Sequence, residues 1–450
     1  MLASGLYRTS SYMIDVRLED SSQFLLIHGY TGAMDIVNES LVSFLKKQKD
    51  PFSKDCLPCS EETVALLEKR NYITNRTEDE EYKYVERLAI ALHKQAKMSY
   101  ANFTFVVSYG CNFRCPYCFE TNKNRNIVFT SEMVDKAFQA IEEIQPEKRL
   151  RSNLITLYGG EPLLKENRQI VSYILARGKD LGVRFKAITN GYDLDSYEEL
   201  LSLDMISNLQ ITVDGLRDRH NEKRIHQDGS PTFDRILKNI GIALNKGISV
   251  VVRVNTDRSN LNDVPLLDNM LKTMYPKYEN NLQVHSAVLH DYNLGNKKSD
   301  FFSQLEFMKE QERFNYRYGC EDCGLLKNVY KAISEKKPLK FKSIYCGAQA
   351  NSYVLDPLGK IFACWEVVGK KEFEIGDYST SVLQWNKDIL SRWRDHNVLT
   401  IDSCRHCKYA LLCGGGCADK NFLNLNYCTQ LPVILKYVIK MAFKKRHIIV

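Results

Sequence analysis

The chain has 450 residues, room for roughly two to four domains. Hydrophobic residues make up 44% and charged residues 26%, which excludes wholesale disorder and provides for buried cores. The net charge of +7 is mild and both signs are interspersed, so no nucleic-acid partner is expected. No run of about 18 uncharged apolar residues occurs, so no membrane span is expected; the most apolar region, Pro432 to Phe443, is broken by Lys436 and Lys440. The start, MLASGLYRTSSYMIDVRLED, lacks the basic-then-apolar order of an export signal, which predicts a cytoplasmic protein.

Residues 1–98 read as a small separate module. Ser11 to Leu18 and Gln23 to Gly29 alternate as strands, a turn at Thr31-Gly32 precedes a third, and a helix is expected over Glu39 to Lys47. Ser60-Glu61-Glu62 opens a helix over Thr63 to Lys69, Tyr72 to Thr74 suits a short strand, and the acidic run from Glu78 starts a connecting helix. The order suggests a winged-helix-like binding module.

Residues 99–337 alternate strand and helix. Strands are expected over Asn102–Ser108, Leu154–Tyr158, Arg184–Thr189, Leu209–Val213, Ser249–Asn255 and Leu282–Leu289. Between them, helices are expected over Ser131–Ile144, Glu166–Leu181, Ser196–Leu203, Phe233–Asn245 and Asp263–Met274. Such a succession predicts an α/β fold with a parallel sheet, a partial (β/α)6 TIM-type barrel two units short of a full one. Residues 338–450 are cysteine-rich, with a hairpin expected between Tyr353-Val354-Leu355 and Lys360-Ile361-Phe362.

The 14 cysteines are many for a reduced compartment, and their clustering suits metal or iron–sulfur ligation over disulfides. Cys111, Cys115 and Cys118 follow the first barrel strand as C-x3-C-x2-C. Three thiolates there can hold a [4Fe–4S] cluster and leave its fourth iron open, although a zinc knuckle fits the same spacing. Tyr158-Gly159-Gly160-Glu161-Pro162 follows the second strand, Thr189-Asn190-Gly191 the third, Asp214-Gly215 the fourth, and Arg253 and Asn255 close the fifth. Each motif alone suits a turn. Their shared position at strand carboxyl ends is where barrel enzymes build active sites.

The C-x3-C-x2-C loop with Tyr117 before its last cysteine, followed by Gly-Gly-Glu-Pro, closely resembles the radical S-adenosylmethionine (SAM) enzymes. The stretch Asp214-Gly215-Leu216 to His220, Asn221 and Arg224, then Gly229, Thr232, Phe233 and Asn239-Ile240, resembles the subgroup with a C-terminal SPASM domain for auxiliary clusters. That resemblance covers roughly residues 100 to 430. It implies that Cys111, Cys115 and Cys118 hold a [4Fe–4S] cluster whose open iron chelates SAM, and that one electron cleaves SAM to a 5′-deoxyadenosyl radical. It implies further that Gly159, Gly160 and Glu161 serve the SAM amino group and that Asn190, Asp214 and Arg224 are candidates for ribose or carboxylate contacts. Arg253 and Asn255 suit either that role or a structural one.

By the same resemblance, Cys346, Cys364 and Cys417 would hold one auxiliary [4Fe–4S] cluster, and Cys404, Cys407, Cys413 and Cys428 a second. A zinc ribbon of Cys404, Cys407, Cys413 and Cys417 is the alternative. The first set is one ligand short, a place open to Cys320, Cys323, water or a substrate thiolate. Cys56 and Cys59 have no assigned role. The N-terminal module resembles the leader-peptide-recognition unit of enzymes that modify ribosomally made peptides, which implies strand addition by a precursor peptide; the radical SAM resemblance implies a flavodoxin- or ferredoxin-type electron donor. The expected activity is peptide maturation by thioether or carbon–carbon crosslinking, or by epimerisation. A sulfatase-type maturase is the alternative, with Glu366 after Cys364 as a candidate catalytic base where such enzymes carry an Asp. A non-catalytic iron–sulfur electron-transfer or scaffold protein is the reading of a different class. The basic tail Lys440, Lys444, Lys445, Arg446 and His447 suits a solvated helix end, or a contact with a membrane surface or an acidic peptide.

Overall fold

The computed structural model describes every residue except 19–21, 121–125, 290–299, 316, 320–327, 330, 334, 336, 423–427, 429–430 and 449–450. The side chains of 431 and 444–448 are also outside the description, so Cys320, Cys323 and most of the basic tail are not placed. The chain forms two compact units. One contains Met1–Ser99, Asp322–Ala350 and Arg392–Val450, the other Tyr100–Glu321 and Asn351–Ser391.

In the first unit β1 (Leu6–Thr9) is followed by β2 (Met13–Arg17), β3 (Gln23–His28) and β4 (Met34–Asn38), then α1 (Glu39–Lys47). Ile14 and Val16, alternating with Asp15 and Arg17 and paired against Ile27 and Leu25, help make an antiparallel sheet in the order β2-β3-β4. Asn38 caps α1 by accepting the Leu41 amide at 2.9 Å. Next come β5 (Phe52–Ser53), α2 (Glu61–Lys69), β6 (Ile73–Thr74) and α3 (Glu78–Lys97). A capping box between Thr77 and Glu80, with an acidic first turn and lysines in the last, explains where α3 starts and why it persists. Leu41, Val42 and Leu45 of α1 pack with Val64 and Leu67 of α2, Tyr72 and Ile73 in one core.

The second unit is built on six parallel strands in sequential order: β7 (Asn102–Ser108), β8 (Leu154–Gly159), β9 (Arg184–Thr189), β10 (Ile206–Thr212), β11 (Ser249–Thr256) and β12 (Leu282–Val288). The helices between them are α4 (Ser131–Ile144), α5 (Arg168–Asp180), α6 (Arg217–Lys223), α7 (Phe233–Asn245) and α8 (Asp263–Met274), with α9 (Gln304–Glu312) after the last strand. This is the expected mixed α/β partial barrel. The hairpin β13 (Ser352–Leu355) and β14 (Lys360–Phe362) extends the same sheet, β13 lying parallel to β7, and β15 (Gly376–Asp377) and β16 (Gln384–Trp385) complete it.

One local expectation changes, and two elements appear that the sequence pattern does not announce. Residues 196–203 are not an α-helix: Leu194–Leu200 forms a 3-10 turn, tightened where the Tyr197 hydroxyl donates to the Leu164 carbonyl at 2.6 Å. The short strand β1 pairs only two residues with each neighbour, too few to leave an alternating pattern. Helix α6, Arg-Asp-Arg-His-Asn-Glu-Lys, has no apolar stripe to announce it. Among the described residues no helix is long and apolar enough to cross a membrane.

Candidate active site and cluster cysteines

The cysteine loop leaves the carboxyl end of β7. Cys115 is buried, and the Cys118 amide donates to the Cys115 carbonyl at 3.1 Å, turning the loop back on itself. Burial pushes the Cys111 thiol up to about 12, with the Glu161 charge adding to the effect. Burial also raises Cys115, against Arg224 and with Asp214 and Cys118. Thiols in so dry and anionic a place stay protonated at neutral pH unless a metal takes them. Among the described residues no three His, Cys, Asp or Glu side chains close on a single ion. A lone ion gathers thiolates at about 2.3 Å, whereas a cubane cluster holds them apart at its corners. The chemistry of the donor set, three thiols in one short loop, suits an iron–sulfur cluster.

The two glycines at the end of β8, Gly159 and Gly160, bring that strand end against the loop. A Cβ at Gly160 would lie 2.4 Å from the Gly110 oxygen and 2.6 Å from that of Tyr109. In the space so gained, the Gly160 amide donates to Ser108 O at 2.9 Å and the Glu161 amide to Gly110 O at 2.7 Å. The Glu161 carboxylate then braces the next strand. Oε1 accepts from the Leu163 amide (2.8 Å) and the Thr189 hydroxyl (2.6 Å), and Oε2 from the Asn190 amide (2.6 Å). Burial lifts its pKa to about 7, with those three donors opposing the rise. Asn190 donates from Nδ2 to Asn112 Oδ1 in the cysteine loop at 2.7 Å. The segments after β7, β8 and β9 are thus stitched together by Glu161 and Asn190.

A second knot joins the loop to β10 and β11. The Tyr117 hydroxyl donates to Asp214 Oδ2 and accepts from Arg224 Nη1 (3.1 Å) and Asn255 Nδ2 (3.3 Å). Asp214 Oδ1 takes the Asn255 amide at 2.8 Å, and Arg253 Nε donates to Asn255 Oδ1 at 2.9 Å. Burial raises the Asp214 pKa, with Arg224 and Tyr117 opposing. The Arg224 guanidinium lies 5.2 Å from the centre of the Phe113 ring, and its Nε is buried with no hydrogen-bond partner. Behind Asp214, buried His220 accepts the Asp214 amide on Nδ1 at 3.2 Å. Thr232 spends its proton on the Arg224 carbonyl (2.9 Å), so it receives the Nε2 proton of His220 at 3.0 Å. Residue patterning had not disclosed Tyr117's position at the centre of this knot.

Tyr158, just before the glycine pair, stacks on Trp365 with ring centres 5.6 Å apart and planes at 27°. Burial raises its hydroxyl pKa far above the ordinary value, with Glu120, Glu366, Cys118 and Cys364 adding. Glu366, Cys364 and Cys118 therefore all lie within electrostatic reach of the Tyr158 hydroxyl. In the hairpin turn before them, Asp356 accepts the amides of Leu358 and Lys360 and the Tyr109 hydroxyl at 2.5 Å.

The remaining cluster candidates belong to the first unit. Burial pushes Cys404 up to about 12, with Cys413, Cys428 and Cys407 adding their charge, and raises Cys413 to about 11. Burial raises Cys417 as well, and there Cys346 is the thiol that contributes. Cys404 thus has Cys407, Cys413 and Cys428 as electrostatic neighbours, and Cys417 has Cys346. Gly414, Gly415 and Gly416, all with left-handed φ of 75° to 84°, form the turn between Cys413 and Cys417. That glycine run was in plain view in the sequence and marks the tightest part of the cysteine scaffold: a Cβ at Gly414 would lie 2.2 Å from Ile344 O.

Residues 105–264 match the Radical SAM superfamily. Against two curated relatives of 31% and 30% identity the chain spans only about half of their length, 57% and 48%. The cysteine-type anaerobic sulfatase-maturating enzyme of Clostridium perfringens is 23% identical over 72% of this chain and 91% of its own. The radical SAM cyclopropyl synthase TigE of Paramaledivibacter caminithermalis is 23% identical over 95% of this chain and 93% of its own. Among solved structures, native anSMEcpe with bound AdoMet and the Cp18Cys peptide superposes with a TM-score of 0.55 at 15% identity, over 78% of this chain and 99% of that one. Streptococcus suis SuiB bound to its precursor peptide SuiA gives 0.54 at 14% identity, over 92% and 97%. Residues 105–264 thus form a radical SAM domain, and the chain's fold is similar to those of anSMEcpe and SuiB.

Proposed function

We propose that this protein is a radical SAM peptide maturase, acting on a ribosomally made precursor peptide. The observation that carries the reading is the meeting, at the ends of parallel strands, of the Cys111–Cys115–Cys118 loop with the buried, unpartnered Nε of Arg224. A buried N–H without an acceptor costs about 1–3 kcal/mol, so a ligand acceptor is expected there. In this reading Cys111, Cys115 and Cys118 hold a [4Fe–4S] cluster, and Arg224 takes the SAM carboxylate. Glu161 has about four acceptor sites, three filled by protein donors, which leaves one for the SAM amino group beside Gly159 and Gly160. Asn190 and Asp214 face the ribose. The bound cluster and SAM together supply reductive cleavage to a 5′-deoxyadenosyl radical, with an electron donor of flavodoxin or ferredoxin type; the protein positions the reactants and keeps water out.

Cys346, Cys364 and Cys417, and separately Cys404, Cys407, Cys413 and Cys428, are proposed to hold auxiliary clusters. The leader of the precursor docks along β4, an edge strand of its sheet, where Ile36 is 47% exposed. A cytoplasmic setting follows from the need for low-potential electrons and reduced thiols. The sulfatase-type activity is the second reading, favoured by the carboxylate of Glu366 beside Tyr158 and Cys364.

The test is anaerobic reconstitution with iron, sulfide, a strong reductant and SAM. 5′-Deoxyadenosine is expected from the parent and none from the C111A/C115A/C118A variant. A parent that retains iron yet releases no 5′-deoxyadenosine refutes both enzyme readings and leaves the scaffold reading. Mass change in a co-expressed precursor peptide, against formylglycine in a sulfatase-derived cysteine peptide, separates the two activities.

A further inference from the structure

Asp214 and Arg224 are opposite charges buried in one knot, yet no direct ion pair joins them. The Tyr117 hydroxyl stands between: it gives its proton to Asp214 Oδ2 and accepts from Arg224 Nη1 at 3.1 Å, while Asn255 Nδ2 holds it from the side at 3.3 Å. Asp214's other oxygen is engaged by the Asn255 amide. Arg224 therefore keeps its charge without a contacting carboxylate, and its buried Nε keeps a proton with nowhere to go. A direct guanidinium–carboxylate pair in so dry a place would be strong and would consume both groups.

We propose that the Tyr117 hydroxyl is a positioning residue that spaces Arg224 from Asp214 and so holds the guanidinium open for the carboxylate of SAM. The proposal rests on the radical SAM reading and adds to it a residue that works through two others. Without the hydroxyl, Arg224 closes onto Asp214 and the anion's place is lost. Phe113 under the guanidinium limits where else Arg224 can go. Arg253, tied to Asn255, adds a second positive charge to the same knot, so an incoming carboxylate meets two cations and one anion.

The test uses the reconstituted full chain, titrated with SAM and read by the change in the electron paramagnetic resonance spectrum of the reduced cluster. In Y117F the iron content and visible spectrum should match the parent, while half-saturation should need roughly tenfold more SAM, the loss of about one charge-assisted contact. The distinguishing variant is the same substitution in a D214N background. With no carboxylate to close onto, losing the hydroxyl should there change SAM half-saturation less than about twofold. Equal losses in both backgrounds, a Y117F titration within twofold of the parent, or loss of iron from Y117F would each overturn the proposal. A parent whose spectrum ignores SAM would instead overturn the radical SAM reading beneath it.

Discussion

Gly160→Ala tests whether the second glycine serves by close approach alone. Gly160 is not among the glycines with left-handed φ, so an alanine meets no backbone penalty there. What it meets is the Gly110 oxygen at 2.4 Å and the Tyr109 oxygen at 2.6 Å. To reach even 3.0 Å, the Gly110 carbonyl must retreat by about 0.6 Å. That carbonyl receives the Glu161 amide at 2.7 Å, so the retreat strains this hydrogen bond as well. Overpacking of about 1–3 kcal/mol and a weakened buried hydrogen bond of about 1 kcal/mol together predict a loss of roughly 3 kcal/mol. A domain of this size would then melt roughly 6–12 °C lower. The displaced carbonyl belongs to the residue before Cys111, so reconstituted iron should fall too. Gly229→Ala is the control: its φ is +82° with open space around the Cβ position, so it carries backbone strain without a clash and should cost only about 1–2 kcal/mol. Thermal unfolding by circular dichroism and iron analysis read both variants. A G160A protein that melts within a degree of the parent with full iron refutes the close-approach argument.

Single Cys→Ser changes at Cys404, Cys407 or Cys413 should remove one cluster's iron and leave that of the Cys346/Cys417 group, and a change at Cys417 should do the converse; either change emptying both sites would contradict the two groupings. His220 is pushed down to about 3, by burial first and then by Arg224. The native state therefore stays neutral while the unfolded chain takes a proton below the ordinary 6.5, and stability is lost as pH falls from 6.5 toward 3. Between pH 6.5 and 4.5 the loss should be about 2–3 kcal/mol. Because buried His28 acts in the same direction, the readout is the difference in urea midpoints between parent and H220Q, and parallel pH profiles would refute it. Ile36→Lys should weaken binding of a cognate leader peptide, measured by fluorescence anisotropy, without altering SAM cleavage; unchanged binding would remove β4 as the docking edge.

Much of the second unit can be read from one dimension. β7, β9, α4, α7 and α8 begin and end where periodicity and capping residues put them, because each buries one face against a continuous sheet. The strand-end motifs were legible for the same reason: polar and glycine residues interrupting apolar strands have few other places to be. What the spacing could not reveal is which of those motifs touch. Asp214, Arg224, Asn255 and Tyr117 are separated by up to 138 positions, and only the sheet order β7 to β12 brings them to one hydroxyl. Glu161 shows the converse limit. Its place was evident, but most of its acceptor capacity is spent on Leu163, Thr189 and Asn190, contacts that depend on where β9 ends.

The first unit raises a different point, about why the cysteine-rich tail belongs with residues 1–99. Cys404, Ala410 and Leu411 share an apolar cluster with Tyr12 and Tyr30 from the N-terminal sheet and Val85 and Ala89 from α3. Gly29, at the end of β3, comes so close to the backbone of Lys408 that a Cβ there would lie 2.3 Å from its oxygen. The Lys408 ammonium returns the contact, donating to the Met13 carbonyl at 3.1 Å. Lys408 stands between Cys407 and Tyr409, inside the cysteine set itself. A rigid backbone contact of this kind passes displacement rather than absorbing it. Cys404 and Cys407 thus pack directly against the β2–β3 end of the sheet that also carries β4. The glycine at position 29 is where the cysteine segment and this sheet meet most closely.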